Sequence, residues 1–286
     1  MSPANKPDLV VQHPALTDAV LAAIAAELGR PADERSPKLA RWRDVRLGND
    51  GAMALAKEHQ VDAALVPGDQ LLGNFRLIAF DMDSTLITIE CVDEIADFAG
   101  CKPQVAAITA AAMRGEIADY DESLRQRVAL LAGLDESVLE RVWSERLEIT
   151  PGAPELLAAA RHAGLRSLLV SGGFTFFTDR VKARLGLDFT CANTLEMVDG
   201  KIAGRVAGVI VNAQGKRRAL EQACARLGCS PSQAIAVGDG ANDLAMMAIA
   251  GISVAFHAKP QVAAQATYAI GHGGLDAIIG LFAPER

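Results

Sequence analysis

No stretch of about 18 consecutive apolar residues occurs in the chain, so a membrane-spanning helix is not expected. There is no Cys-x-x-Cys pair either. The five cysteines (Cys91, Cys101, Cys191, Cys224, Cys229) are odd in number and sit among apolar residues, where a reduced thiol packs as a small hydrophobe. That pattern speaks for a reducing, cytoplasmic compartment. Positive charge is not in excess: 28 Lys and Arg stand against 35 Asp and Glu, a net charge of −7. This removes the electrostatic case for a nucleic-acid or anionic-membrane partner and leaves a small molecule as the expected one. A secretory leader is not expected either, because the apolar "VLAAIAA" follows Asp18, precedes Glu27 and has no basic stretch before it, so it reads as a helix. What the chain has is material for a core. Of its 286 residues, 50% are hydrophobic and 22% charged, enough for one large or two smaller domains.

Residues 1–72 read as a small α+β unit. A strand at "DLVVQ" precedes an amphipathic helix with Leu16, Val20, Ile24 and Leu28 at four-residue spacing, and "RPADERSPK" follows as a polar linker. A second strand and helix are expected after it. From Leu77 the pattern changes to short apolar runs separated by helical stretches: "LIAFD", "RSLLVSGG", "DFTCAN", "QAIAVGDG", "GISVAF" and "TYAI". Strands alternating with helices imply parallel pairing through right-handed crossovers, hence an α/β sheet covered on both faces. Residues 91–148 are helical in pattern and read as an inserted cap. Asp199-Gly200 in "LEMVDGKIAG" marks a hairpin turn.

Ligands of such sheets bind beyond the carboxyl ends of the strands, and three runs end there in polar or glycine-rich sequence: "FDMDST", "VSGGF" and "VGDGAND". One aspartate after a strand is commonly a cap. Two, Asp81 and Asp83, two residues apart in one crevice, repel each other, and a cation relieves them. Mg²⁺ suits such a site because it takes oxygen ligands and is commonly held by carboxylates together with a substrate phosphate. A carboxylate beside the metal can accept a phosphoryl group, and its neighbour can manage protons. Ser171, Gly172 and Gly173, between a strand and a helix, form an anion site of a hydroxyl and backbone N–H groups. Asp239 repeats the strand-to-acid layout as a further metal carboxylate, with Asp243 four residues on as a ligand or a cap. "QGKRRAL" offers Lys216, Arg217 and Arg218 for phosphate charge, and spacing does not choose among them.

In that order, "DMDST", "VSGG", a downstream lysine and "GDGAND" resemble the haloacid dehalogenase superfamily of aspartate-nucleophile phosphatases. "ECVDEIADFAG", "AMRGEIADYDESLRQRV", "SGGFTFF" and "GDGANDLAMM" narrow the likeness, from about Leu77 to about Gly280, to its phosphoserine phosphatase family. The resemblance implies a HAD-like Rossmannoid parallel sheet in residues 73–286, with a helical-bundle cap at about 91–148. It implies Asp81 as nucleophile, Asp83 as general acid and base, and Mg²⁺ held by Asp81, the Asp83 backbone carbonyl and Asp239, with Asp243 and Asn242 supporting that shell. Ser171, Gly172, Gly173 and Lys216 would hold the phosphoryl oxygens, and Arg217 and Arg218 revert to a solvated face. Glu90 would take the substrate ammonium and Arg127 its carboxylate, while Met113 and Tyr120 line the cap side. Tyr120 stands where the family often has Phe. Some relatives carry ACT-type amino-acid-binding domains before the catalytic unit, and residues 1–72 have room for one degenerate copy.

The activity implied is Mg²⁺-dependent hydrolysis of O-phospho-L-serine, the last step of serine synthesis, through an aspartyl-phosphate. Hydrolysis of phosphohomoserine or phosphothreonine, or transfer of the phosphoryl group to an acceptor alcohol, uses the same residues. A non-catalytic amino-acid sensor is a third reading, against which the intact nucleophile and metal set argues. Nothing in the sequence fixes an oligomeric state.

Overall fold

The computed structural model describes residues 6–113, 116–117 and 119–284, without the side chain of Met113. Among these residues no helix is long and apolar enough to cross a membrane.

The chain begins with β1 (Asp8–Gln12), α1 (Asp18–Leu28), β2 (Glu34–Arg35), β3 (Leu39–Trp42), α2 (Asn49–His59) and β4 (Asp62–Val66). These strands form an antiparallel sheet in the order β2-β3-β1-β4, the βαββαβ arrangement of ferredoxin-like units. Thr17 caps α1 by accepting from Val20 N–H, and Gly29, in the left-handed conformation at φ 71°, ends it. The stretch read as a polar linker contains β2, whose two residues pair with β3. So short and polar a strand leaves no periodicity to read.

All of β1 is buried because both sheet faces are covered. Leu9 and Val11 point to a core shared with Ile24 and Leu55, whereas Val10, on the opposite face, joins the core of the rest of the molecule. Polar groups fix the contact. Arg41, buried on β3, donates to the Gly280 and Phe282 carbonyls at 2.8 Å each and pairs with Asp8 at 3.2 Å. The Asp62 carboxylate accepts from the N–H groups of Gly271, His272 and Gly273 at 2.7, 3.0 and 3.2 Å.

The second sheet contains β5 (Leu77–Phe80), β6 (Arg166–Phe174), β7 (Phe189–Val198), β8 (Lys201–Ala207), β9 (Ala234–Gly238), β10 (Ile252–Phe256) and β11 (Tyr268–Ile270). Its order is β11-β10-β9-β5-β6-β7-β8, parallel apart from β8. Ile78 and Phe80 of β5 face one hydrophobic core and Leu77 and Ala79 the other, so helices cover both faces. The chain leaves β5 for β6 on one side and reaches β9 on the other. This reversal opens a crevice at the carboxyl end of β5.

Between β5 and β6 lie α3 (Cys91–Phe98), α4 (Lys102–Met113), α5 (Tyr120–Ala129) and α6 (Ser137–Glu145), then α7 (Ala153–His162) under the sheet. The first four are carried on a two-stranded stalk: Ile87 pairs with Ile149, Thr88 N–H donates to the Glu148 carbonyl, and Thr150 N–H to that of Leu86. The hairpin β7–β8 turns at Asp199 and Gly200, both at positive φ, and bonds to the cap through Gly133 and Ile202. α8 (Thr175–Leu185) follows β6, and α9 (Ala213–Leu227), α10 (Leu244–Met247) and α11 (Pro260–Ala263) complete the layers.

Candidate active site

Asp81 is the first residue after β5, and the chain turns sharply there. Ser84 takes a left-handed conformation (φ 55°), a strained one for a residue with a side chain, while Asp83 stays extended. The turn sends the two carboxylates to different partners. Asp81 Oδ1 accepts from Met82 N–H at 2.7 Å and lies 2.7 Å from Lys216 Nζ. Asp83 Oδ1 accepts from Cys91 N–H at 3.1 Å, at the start of α3.

Lys216 comes from the first turn of α9, where Asn212 is the N-cap and accepts from Gly215 N–H. The lysine is wholly buried between two acids, 2.7 Å from Asp81 and 2.8 Å from Asp243. Burial alone would lower its pKa, but the Asp243 and Asp81 carboxylates outweigh it and hold the ammonium charged. Arg217 and Arg218 are exposed, and Arg217 pairs with Glu221.

Both Asp243 oxygens are engaged, Oδ1 by Lys216 and Oδ2 by Gly240 N–H at 3.1 Å. A Cβ on Gly238 would collide with this carboxylate, which is why the strand must end in glycine. Asp239 accepts from the Thr85 hydroxyl at 3.4 Å.

Carboxylate oxygens of Asp81, Asp239 and Asp243 come within 4.8 Å of one another. Desolvation and the Asp243 charge push the Asp81 carboxyl well above its ordinary range, and the same causes raise Asp239 to about 6. One buried lysine thus leaves these acids short of positive charge. An all-oxygen donor set with that deficit fits a hard divalent cation such as Mg²⁺. Asp243 has both oxygens engaged, whereas Asp81 Oδ2 and the less engaged Asp239 carboxylate are the better placed to ligate such a cation.

Opposite the acids, Ser171, Gly172 and Gly173 form a bulge of β6 rather than a turn beyond it. The Ser171 hydroxyl, buried, accepts from Gly173 N–H at 2.8 Å. Tyr120, from the cap, donates to the Gly172 carbonyl at 3.5 Å, and its hydroxyl occupies the space a Gly172 Cβ would take. Glu90 and Arg127 enter from the cap side: the Ser84 hydroxyl donates to Glu90 at 2.7 Å, and Arg127 Nε donates to the Ser123 carbonyl at 3.3 Å. Partial desolvation, then the Asp83 charge, raise the Glu90 carboxyl. The enclosed space is about 130 Å³, lined by Asp81, Asp83, Glu90, Tyr120, Arg127, Gly172, Gly173, Asp239 and Asn242. Ser171, Lys216 and Asp243 stand behind that lining. The side chain of Met113 lies outside the described residues. A larger cleft of about 1310 Å³ lies between the N-terminal sheet and the cap stalk, but it does not include Asp81, Lys216 or Asp239.

Four polar residues had no assigned role in the sequence reading. Ser84 holds Glu90, Thr85 holds Asp239, Asn212 donates to Asp121 of the cap at 2.9 Å, and Asn193 donates to the Gly172 carbonyl at 2.8 Å. Ser84 and Thr85 lie inside "DMDST" and carried a signal in that position. Asn193 was marked only by being an amide within an apolar strand.

A buried carboxylate at the end of a central parallel strand, a buried lysine beside it and a cluster of acids make an arrangement suited to aspartate-dependent phosphoryl transfer. Residues 75–251 match the haloacid dehalogenase-like hydrolase family, and the chain belongs to it. It is 59% identical over 217 residues to a phosphoserine phosphatase of Polaromonas sp., covering 74% of this chain and 92% of that one. It is also similar to the unliganded crystal structure of a probable phosphoserine phosphatase from Vibrio cholerae, with TM-score 0.83 and 38% identity over 96% of this chain and 86% of the other. A structure described as a phospho-aspartyl intermediate analogue of phosphoserine phosphatase matches with TM-score 0.68 and 38% identity, over 73% of this chain and 99% of that one.

Proposed function

We propose that the chain hydrolyses O-phospho-L-serine to L-serine and phosphate through an aspartyl-phosphate on Asp81, with Mg²⁺ as cofactor. The observation that carries this reading is one small crevice with phosphoryl chemistry on one wall, Asp81, Asp83 and Asp239, and an acid and a base on the other, Glu90 and Arg127.

Asp81 Oδ1 is held by two donors, so Oδ2 is the atom left to attack phosphorus. As the ester bond breaks, Asp83, whose carboxyl burial raises, delivers its proton to the leaving oxygen. The same carboxylate then takes a proton from water as that water attacks the phosphoenzyme and releases phosphate. Lys216 offsets the phosphoryl charge, and the Ser171–Gly173 bulge supplies a hydroxyl and amides around it. Mg²⁺, when bound by Asp81, the Asp83 carbonyl and Asp239, screens the acids from one another and from the dianionic phosphate. Glu90 takes the substrate ammonium, and Arg127 grips its carboxylate. Phosphohomoserine and phosphothreonine present the same head group, and a methylene or methyl difference in an apolar pocket is worth only about 1–3 kcal/mol.

We further read residues 1–72 as a separate α+β unit, ACT-like in its element order, beside a phosphatase unit at 73–286 with its cap at about 91–148. The complete βαββαβ order supports that likeness.

The test is phosphate release from L-phosphoserine, D-phosphoserine, phosphothreonine, phosphohomoserine and glycerol phosphate, with Mg²⁺ and with a chelator. Mg²⁺-dependent preference for L-phosphoserine is expected. A flat profile keeps the aspartate chemistry and removes the roles of Glu90 and Arg127. Loss of the ester with the phosphoryl group recovered on an added acceptor alcohol, and little free phosphate, would make the enzyme a phosphotransferase.

A further inference from the structure

β6 and β7 pair in register as far as Val170 opposite Cys191, and the pairing resumes with Phe174 opposite Asn193. Ser171, Gly172 and Gly173 therefore span what Ala192 alone spans on β7, so their backbone bows out of the ladder. A bowed strand loses its ladder partners, and the half-buried Gly172 carbonyl needs a donor from elsewhere. Asn193 Nδ2 supplies the shorter bond at 2.8 Å, beside the Tyr120 hydroxyl at 3.5 Å. The other end of the same amide, Oδ1, accepts from Val211 N–H at 2.8 Å. Val211 immediately precedes Asn212, the cap of the helix that carries Lys216. One side chain, 2% exposed, thus holds the anion loop with one atom and the root of the lysine helix with the other. Asparagine offers both a donor and an acceptor on one short planar group.

We propose that Asn193 is a positioning residue for phosphoryl transfer: its amide sets the spacing between the Ser171–Gly173 loop and Lys216, so that both meet one phosphoryl group. This rests on the phosphatase reading above and extends it to a residue that touches no substrate. Misplacing a phosphoryl-binding group by ~1 Å costs on the order of 100-fold in rate.

Asn193→Asp keeps the size and the acceptor for Val211 but faces the Gly172 carbonyl with a carboxylate. Steady-state hydrolysis, inhibition by inorganic phosphate and thermal unfolding are measured on the full chain. The expected result is a fall in kcat and a rise in the phosphate inhibition constant, each about 10- to 100-fold. The loss is equal for phosphoserine and for an ester with no amino-acid head, because the defect lies at the phosphoryl end. Lowering the pH protonates the introduced carboxyl and returns a donor, so activity relative to the parent at the same pH recovers in part. Parental kcat and phosphate inhibition overturn the proposal, as does a loss that follows the melting temperature and ignores pH. Asn193→Ser, smaller and certain to fit the same space, is the second variant: the same losses support the proposal and parental values overturn it. A parent that releases phosphate from none of the esters would instead sink the phosphatase reading.

Discussion

At the scale of single residues, charge and space set the site's demands. Asp81→Asn keeps the hydrogen-bond geometry around Met82 but removes the attacking anion, so turnover falls below detection while phosphoserine still binds, as calorimetry on the variant would register. Gly172→Ala forces a methyl into the Tyr120 hydroxyl; activity drops about 10-fold or more, and adding Tyr120→Phe, which empties that space, recovers part of it. Arg127→Ala lowers kcat/KM for phosphoserine far more than for a phosphate ester without a carboxylate, and equal losses would show that Arg127 does not read the carboxylate. The acids Asp81, Asp83 and Asp239 were legible in the sequence because a strand end and a two- or four-residue spacing single them out. Asn193 was not, since its task depends on a register mismatch between the paired strands β6 and β7, which neither strand's own sequence shows.

At the scale of elements, two of the contacts between cap and core lie at the site itself, Tyr120 on Gly172 and Asp121 on Asn212. Asn212→Asp preserves the helix cap, for which aspartate serves as well as asparagine, but sets two carboxylates face to face. KM for phosphoserine rises about 3- to 10-fold, and Asp121→Asn in the same chain restores it, because the donor and acceptor have then changed places. An unrestored double variant would mean that the pair does not hold the cap down. The strands from β5 to β11 were readable as apolar runs and the β7–β8 turn as Asp-Gly. The bulge in β6 and the two-residue β2 were not, because each is defined by its neighbour's register rather than by its own composition.

At the scale of the whole molecule, the N-terminal sheet is fastened by groups that have nowhere else to go. Asp62→Ala leaves the Gly271, His272 and Gly273 amides without their acceptor and lowers stability by about 1–3 kcal/mol, read as a lower urea midpoint, with kcat within twofold of the parent. Arg41→Met strands Asp8 in the interior and costs about 3–5 kcal/mol by the same measurement. The fastening also imposes an order in time. A ribosome lays down Arg41 239 residues before the Gly280 carbonyl it must grip. Until that carbonyl emerges, a guanidinium and one apolar sheet face wait in water, so a segment made well before its partner is among the last to be sealed.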